Sequence, residues 1–367
     1  MKINIIDPAL SEQTGHHFDW CLKIAEYLKN SGDHDVWIYT RKNITESAKT
    51  VLEKYGKIMP VFIENPYATK DKTDPLTGAL SLYFDNTMLL ASTLQSIDQN
   101  AAWLWPTLFE YQLNALAVAK IRCPVSACLH VAPEYKADFG LAMWRDAALR
   151  AHKLKVNIQF GVTFKELVPL FTPILNNKIS VLPLLVDTNP AAAQKPVLKR
   201  IGFFGDQSTR KGIHLLPELI QRLCKLGFEV IVHDSKGKID GTPSSKLRIL
   251  GFVDDISEEI SKCDLVVLPY DPVVYKHMAS AIGWEAVARG VPVVAPANTA
   301  PGNFINSTKA GVTFESYNVD SILAAVARAE SEYQTIASGA FEASKNWSAH
   351  HGTDKFVDAM MLPFTSV

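Results

Sequence analysis

Long apolar runs are absent from this chain. No stretch of its 367 residues approaches the ~20 consecutive apolar residues that cross a bilayer as a helix, so a helical membrane span is excluded. The first residues, MKINIID, lack the basic start and apolar core of a secretory leader, and no signal peptide is expected. An excess of one charge is missing too: 37 Lys and Arg against 38 Asp and Glu leave a net charge of -1, which gives no electrostatic case for nucleic acid as a partner. Cysteine is sparse. The five are odd in number and lie in or beside apolar runs, so they read as buried thiols of a reducing compartment rather than a disulfide framework. Cys123 and Cys128 are spaced too widely for a CxxC metal or redox pair. Internal repeats and low-complexity segments are also lacking, and a cytoplasmic location is expected.

What is present is 47% apolar residues, enough for two compact α/β domains with full cores. Ile3 to Ile6 reads as a strand, Phe18 to Lys29 as a helix through Phe18, Leu22, Ala25 and Leu28, and Val36 to Tyr39 as a second strand. The alternation continues with a helix at Ser47 to Tyr55 and a strand at Ile58 to Ile63, which Pro60 assigns to a sheet edge. The connection Asn65 to Gly78 is long enough to touch a substrate. Helix Leu80 to Ile97 follows, then strands Trp103 to Trp105 and Val125 to Val131, helix Leu141 to His152, strand Val156 to Val162, helix Phe164 to Phe171 and strand Ile179 to Leu182. A shift in composition at Leu184 to Val197 marks a linker. Beyond it a second doubly wound domain begins with strand Arg200 to Phe204, helix Ile213 to Leu226 and strands Glu229 to His233 and Leu247 to Leu250. Helices at Ser321 to Ala329, Ser331 to Ala343 and Asp354 to Met361 close the chain.

The centre of this second half is the run from Cys263 to Ala295. Two short buried strands, Leu265 to Leu268 and Val291 to Val294, flank a loop and the helix Ala279 to Arg289, giving one βαβ unit. Pro269 ends the first strand, so the loop Tyr270 to Met278 is expected beyond the carboxyl edge of a parallel sheet, where open α/β folds bind ligands. The amides at the start of the following helix offer a seat for phosphate, and Glu285, about two turns in, is placed to accept from a ribose. A second candidate is the turn Gly205-Asp-Gln-Ser-Thr-Arg-Lys-Gly212, whose Arg210 and Lys211 add positive charge at a helix entrance. A third is Thr14-Gly15-His16-His17 after the first strand: Gly15 permits close backbone approach, and a histidine can act as a general base. His130 stands at another strand end before Pro133, and Phe252 and Val253 follow a strand that exits similarly. Each has a plain structural alternative. The basic pair suits an ordinary turn, Glu285 suits a nearby basic residue, the histidines suit a helix start, and Trp103 and Trp105 suit a core. Asp33-His34-Asp35, superficially a metal signature, occupies a turn where short polar residues are common.

Asp264, Pro269, Ser280, Glu285, Ala286, Gly290, Pro292, Val293 and Val294 together resemble the donor-binding segment of GT-B glycosyltransferases of the group 1, family 4-like type. Lys178 to Pro183 with Val186-Asp187 is similar to the interdomain junction of the same enzymes. The resemblance implies two Rossmann-like domains facing a central cleft: residues 1–185 binding the acceptor, residues 186–345 binding a nucleotide sugar, and residues 346–367 crossing back onto the first domain. It implies donor contacts from Gly15, Gly205, Arg210, Lys211, Phe252, Val253, His277, Ser280, Ala281 and Glu285, with His17, His16 or His130 as catalytic candidates. The implied activity is sugar transfer from a nucleoside-diphosphate sugar, as co-substrate and without metal or other cofactor, to a saccharide or lipid-linked acceptor. The family's commonest setting is bacterial polysaccharide or lipopolysaccharide synthesis, with peripheral contact at the inner membrane face. Two positions depart from the family pattern. Asp206 stands where a basic residue is usual, and His277 stands eight residues before Glu285, where retaining members carry a second Glu. These departures keep two alternatives open, a non-catalytic relative that binds or scaffolds and a nucleotide-sugar epimerase, and they leave retaining and inverting chemistry both open.

Overall fold

The computed structural model describes residues 1–64, 66–67, 75–134, 138–188, 191–239, 245–253 and 255–365. Most of the connection expected at 65–78, and Pro190 of the expected linker, lie outside them. The chain divides into unit 1, Met1–Leu185 with Thr353–Val367, and unit 2, Val186–Gly352.

Unit 1 alternates strand and helix: β1 (Lys2–Ile6), α1 (His16–Ser31), β2 (Asp35–Arg41), α2 (Glu46–Leu52), β3 (Lys57–Phe62), α3 (Pro75–Leu94), β4 (Ala102–Trp105), α4 (Glu110–Val118), β5 (Val125–Leu129), α5 (Asp138–Lys153), β6 (Ile158–Val162), α6 (Val168–Leu175) and β7 (Ile179–Val181). The strands pair in parallel in the order β3-β2-β1-β4-β5-β6-β7. Helices cover both faces of such a sheet, which is why β4 and β5 are buried at every position. Pro60 falls in β3, an edge strand that tolerates the lost amide. The chain leaves β1 towards β2 and later returns beside β1 as β4, so the topological switch lies between these two strands.

Unit 2 repeats the design with β8 (Arg200–Phe203), α7 (Leu216–Leu226), β9 (Glu229–His233), β10 (Leu247–Leu250), α8 (Ile256–Ser261), β11 (Leu265–Val267), α9 (Ala281–Ala288), β12 (Val293–Pro296), α10 (Ala300–Thr308), β13 (Gly311–Phe314), α11 (Val319–Ser331), α12 (Tyr333–Lys345) and the short α13 (Trp347–His350). Its parallel order is β10-β9-β8-β11-β12-β13, with the switch between β8 and β11. The last helix, α14 (Thr353–Thr365), returns to unit 1. There Phe356 packs edge-on to Trp20 at 5.1 Å, and Tyr27 donates to Asp358 at 2.9 Å.

The differences from the sequence reading have local causes. Helix α1 starts at His16, not Phe18, because Gly15 at φ 82° turns the chain into the helix and places both histidines in its first turn. Helix α7 starts at Leu216; Ile213–Leu215 forms a 3-10 turn and Pro217 occupies the first turn of the α-helix, where its missing N–H costs nothing. Glu285 lies little more than one turn into α9, since that helix begins only at Ala281. Helices α4, α8 and α10 and strand β13 were not anticipated. Every residue from Glu110 to Ala117 is buried, so α4 shows no polar face to betray its period.

Candidate active site

In unit 2 the site is built at the carboxyl edge of β8 and β11, the two strands at the switch. Gly205 takes φ 95° as the chain leaves β8, a conformation that favours glycine. A β-carbon there would stand 2.7 Å from Lys211 Nζ and 3.4 Å from the Ile282 side chain, so the turn closes directly onto the start of α9. Gly212, at φ 77°, presses so closely on the carbonyl of Pro269 that a β-carbon would lie 2.0 Å from its oxygen. Asp271 N donates to Arg210 O at 3.0 Å. The 205–212 turn and the loop after β11 are thus in direct contact.

Within it Lys211 Nζ lies 5.6 Å from the centre of the Tyr270 ring. Desolvation lowers its pKa, with the Arg210 charge adding to the effect and Tyr275 and Asp206 opposing it. An ammonium short of water and of a close anion is prepared for an anionic ligand. Ser280 caps α9, accepting from Gly283 N at 3.1 Å and donating to Tyr270 Oη at 3.3 Å. The amides of Ala281 and Ile282 head the same helix, where the dipole favours negative charge. His277 Nδ1 is buried without a partner.

Glu285 is engaged within the protein: Ser257 Oγ donates to its Oε2 at 2.8 Å and Arg289 at 2.5 Å. Asp206, at the position expected to be basic, pairs with Lys236 at 2.9 Å and Lys238 at 3.5 Å. Burial alone would raise the Asp206 pKa, but the two ammonium groups lower it. Phe252, 72% exposed, and Val253 follow β10 at the sheet edge, two strands from the switch-point strand β8.

Unit 1 gathers histidines at its own switch. Asp7, one residue past β1 and 1% exposed, accepts from His17 Nδ1 through Oδ2 at 2.8 Å. Its Oδ1 accepts from Ala9 N at 2.9 Å, and Cys21 Sγ donates to Oδ2 at 3.5 Å. An acceptor-only carboxylate fixes the tautomer: Nδ1 carries the proton and Nε2 the lone pair, to which Tyr67 Oη donates at 2.6 Å. His16 and His17 rings lie 4.0 Å apart, and His16 lies 6.5 Å from His130. His130 Nε2 donates to Pro106 O at 2.7 Å, and burial pulls its pKa down to about 4 despite that bond. His16 keeps an exposed edge. Desolvation, then the His17 and His130 charges, lower its pKa as well. Both are neutral near pH 7. Sequence reasoning missed Asp7 and Tyr67. The acid directly after the first strand, ten residues before His17, was the available signal for Asp7.

Residues 198–331 match the family model described as glycosyl transferases group 1. Solved structures share the fold over the whole chain. HepE of Anabaena in complex with UDP is 17% identical, with 100% of each chain covered and a TM-score of 0.68. The sucrose-phosphate synthase of Thermosynechococcus elongatus is 12% identical over 99% of this chain and 98% of that one, at 0.70. A glycosyltransferase of Rickettsia africae is 13% identical over 100% and 99%, at 0.68. No curated protein sequence matches the chain. The fold is that of the GT-B glycosyltransferases, two parallel α/β units, and unit 2 carries the group 1 match. Among the described residues no helix is long and apolar enough to cross a membrane.

Proposed function

We propose that the chain transfers a sugar from a nucleoside-diphosphate sugar to a hydroxyl of a saccharide or lipid-linked saccharide, without a metal, in bacterial polysaccharide or lipopolysaccharide synthesis. The observation that carries this reading is the closure of the 205–212 turn onto the start of α9 at the switch point, inside the segment that matches group 1 glycosyl transferases. In this reading the diphosphate is held by Lys211, Arg210 and the amides of Ala281 and Ile282. Glu285 accepts from the ribose by exchanging one of its present partners, and unit 1 supplies His17 as the base. The acceptor hydroxyl replaces Tyr67 Oη at His17 Nε2 and gives its proton there while its oxygen bonds to the anomeric carbon. The bond from that carbon to the diphosphate oxygen breaks, and the electron pair leaves with the diphosphate. Asp7 stabilises the imidazolium so formed. Direct displacement of this kind inverts the anomeric centre.

UDP bound to HepE of Anabaena makes UDP the first nucleotide to test. Calorimetric titration with UDP and with a panel of UDP-sugars should show binding, and transfer to saccharide acceptors should follow. No binding of any nucleoside diphosphate would reject the reading. The second reading, a non-catalytic relative, is favoured by Asp206 neutralised by two lysines and Glu285 occupied by Ser257 and Arg289. Nucleotide binding without turnover of any donor would select it.

A further inference from the structure

Buried polar atoms without a partner are uncommon because each has lost water and gained nothing, so the place where they collect is informative. Among the described residues of unit 2 these are Ser208 Oγ, His233 Nδ1, Glu259 Oε2 and His277 Nδ1; all but Glu259, which lies in α8, follow or end strands on the carboxyl side of the sheet. Unit 1 has its own set. Among its described residues Asn4 Oδ1, His34 Nδ1 and Asn114 Oδ1 lie elsewhere, while Arg41 Nε, Glu64 Oε1, Thr107 Oγ1 and Thr163 Oγ1 are buried without a partner at or within two residues of the ends of β2, β3, β4 and β6.

Two of these are neighbours by strand register, since Arg41 pairs with Phe62, two residues before Glu64. Glu64 is 2% exposed. Its Oε2 accepts from Ile63 N at 3.2 Å, which leaves Oε1 unanswered. Burial pushes this carboxyl up to about 7, opposed by its backbone amides and by the Arg41 charge. The base is close by along the chain: Tyr67, three residues on, donates to His17. Buried Tyr111 has its pKa raised first by burial and then by the charge of Glu64, with Glu110 and Asp7 contributing.

A cation would be repelled by Arg41 and an anion by Glu64. A neutral polyol offers a donor to one and an acceptor to the other. We propose that Glu64 and Arg41 form an acceptor subsite in unit 1 that takes two hydroxyls of one sugar ring, Glu64 Oε1 accepting from one and the Arg41 guanidinium donating to the other. This rests on the reading of the chain as a sugar transferase and names side chains that hold the acceptor.

The test uses the full chain with UDP present and follows methyl glycosides of glucose, galactose, mannose and N-acetylglucosamine by saturation-transfer NMR. At least one should bind the wild type, and Glu64→Gln and Arg41→Gln should each weaken that binding about tenfold or more, the scale of a lost charged hydrogen bond. UDP affinity should stay within about twofold in both variants, because neither residue belongs to the donor seat. Without sugar, the melting midpoint of Glu64→Gln should hold or rise, since a desolvated carboxyl has been removed. No glycoside bound by the wild type, or glycoside binding unchanged in both variants, overturns the subsite. A Glu64→Gln midpoint that falls while sugar binding persists assigns Glu64 a purely structural role and overturns it equally. Failure of the wild type to bind UDP counts instead against the transferase reading.

Discussion

The Asp7 carboxylate and the His17 imidazole meet at 2.8 Å across a loop that leaves β1 and returns at the first turn of α1. Asp7 is 1% exposed, with Ala9 N and Cys21 Sγ also bonded to it. A carboxylate fixed from three sides holds the ring in one orientation and one tautomer, with the lone pair of Nε2 towards the Tyr67 hydroxyl. The ring is not a helix cap, for α1 shows no side-chain cap bond.

His17→Ala and Asp7→Asn should each slow sugar transfer by about 10²–10⁴-fold, the usual worth of a positioned base. The UDP dissociation constant should stay within about twofold. Steady-state kinetics beside calorimetry separate the two effects, and unchanged turnover in His17→Ala would remove the base assignment.

Glu285→Ala should weaken nucleotide binding by about 1–3 kcal/mol, the cost of losing a charged hydrogen-bond partner. The same variant leaves Arg289 without its carboxylate, so Arg289→Ala is the necessary control. Equal UDP affinity in wild type and Glu285→Ala would remove Glu285 from the nucleotide site.

Gly212→Ala places a methyl group against the Pro269 carbonyl at a backbone φ of 77°. Strain of about 1–3 kcal/mol is expected, together with displacement of the loop after β11. Thermal unfolding should fall and UDP affinity should fall with it. Gly227→Ala is the comparison, because Gly227 also has positive φ but nothing within 4 Å of the added carbon. A drop in UDP affinity as large for Gly227→Ala would deny the 205–212 turn its special place.

Acid should destabilise the fold partly through His130. Its folded pKa is about 4 against an ordinary 6.5, so the unfolded chain binds the proton first as pH falls. The contribution is fully present above pH 6.5 and is lost progressively between 6.5 and 4. His130→Gln should flatten the fall of the melting midpoint across that window, although His16 and His351, whose pKa values are also lowered, keep part of it. An unaltered slope would show that burial does not hold His130 neutral.

Most strands were readable because each holds a short, mainly apolar run closed by proline, glycine or a polar turn, as in Leu265 to Leu268 before Pro269. The 205–212 turn was readable for a similar reason, since glycines at 205 and 212 mark positions where backbone conformation or close approach forbids a side chain. Helix α10 and strand β13 escaped notice. Thr299 caps a helix whose first turn, Ala300, Pro301 and Gly302, resembles a loop, and β13 has only four residues. Asp7 escaped because an acid after a strand has no pattern of its own.

By itself, then, the order of apolar runs and turns determined two doubly wound α/β halves and the stretch on which the second is centred. Which side chains share a hydrogen bond was decided by the tertiary structure alone. Asp7 reaches His17 because β1 and α1 are packed on one core. Glu285 reaches Ser257 because α8 and α9 lie side by side, and Asp206 reaches Lys236 because β8 and β9 are neighbours. Local pattern fixes where the backbone can bury apolar surface. The pairing of charges depends on distances of a few ångströms between residues remote in sequence, and only the packed fold sets those.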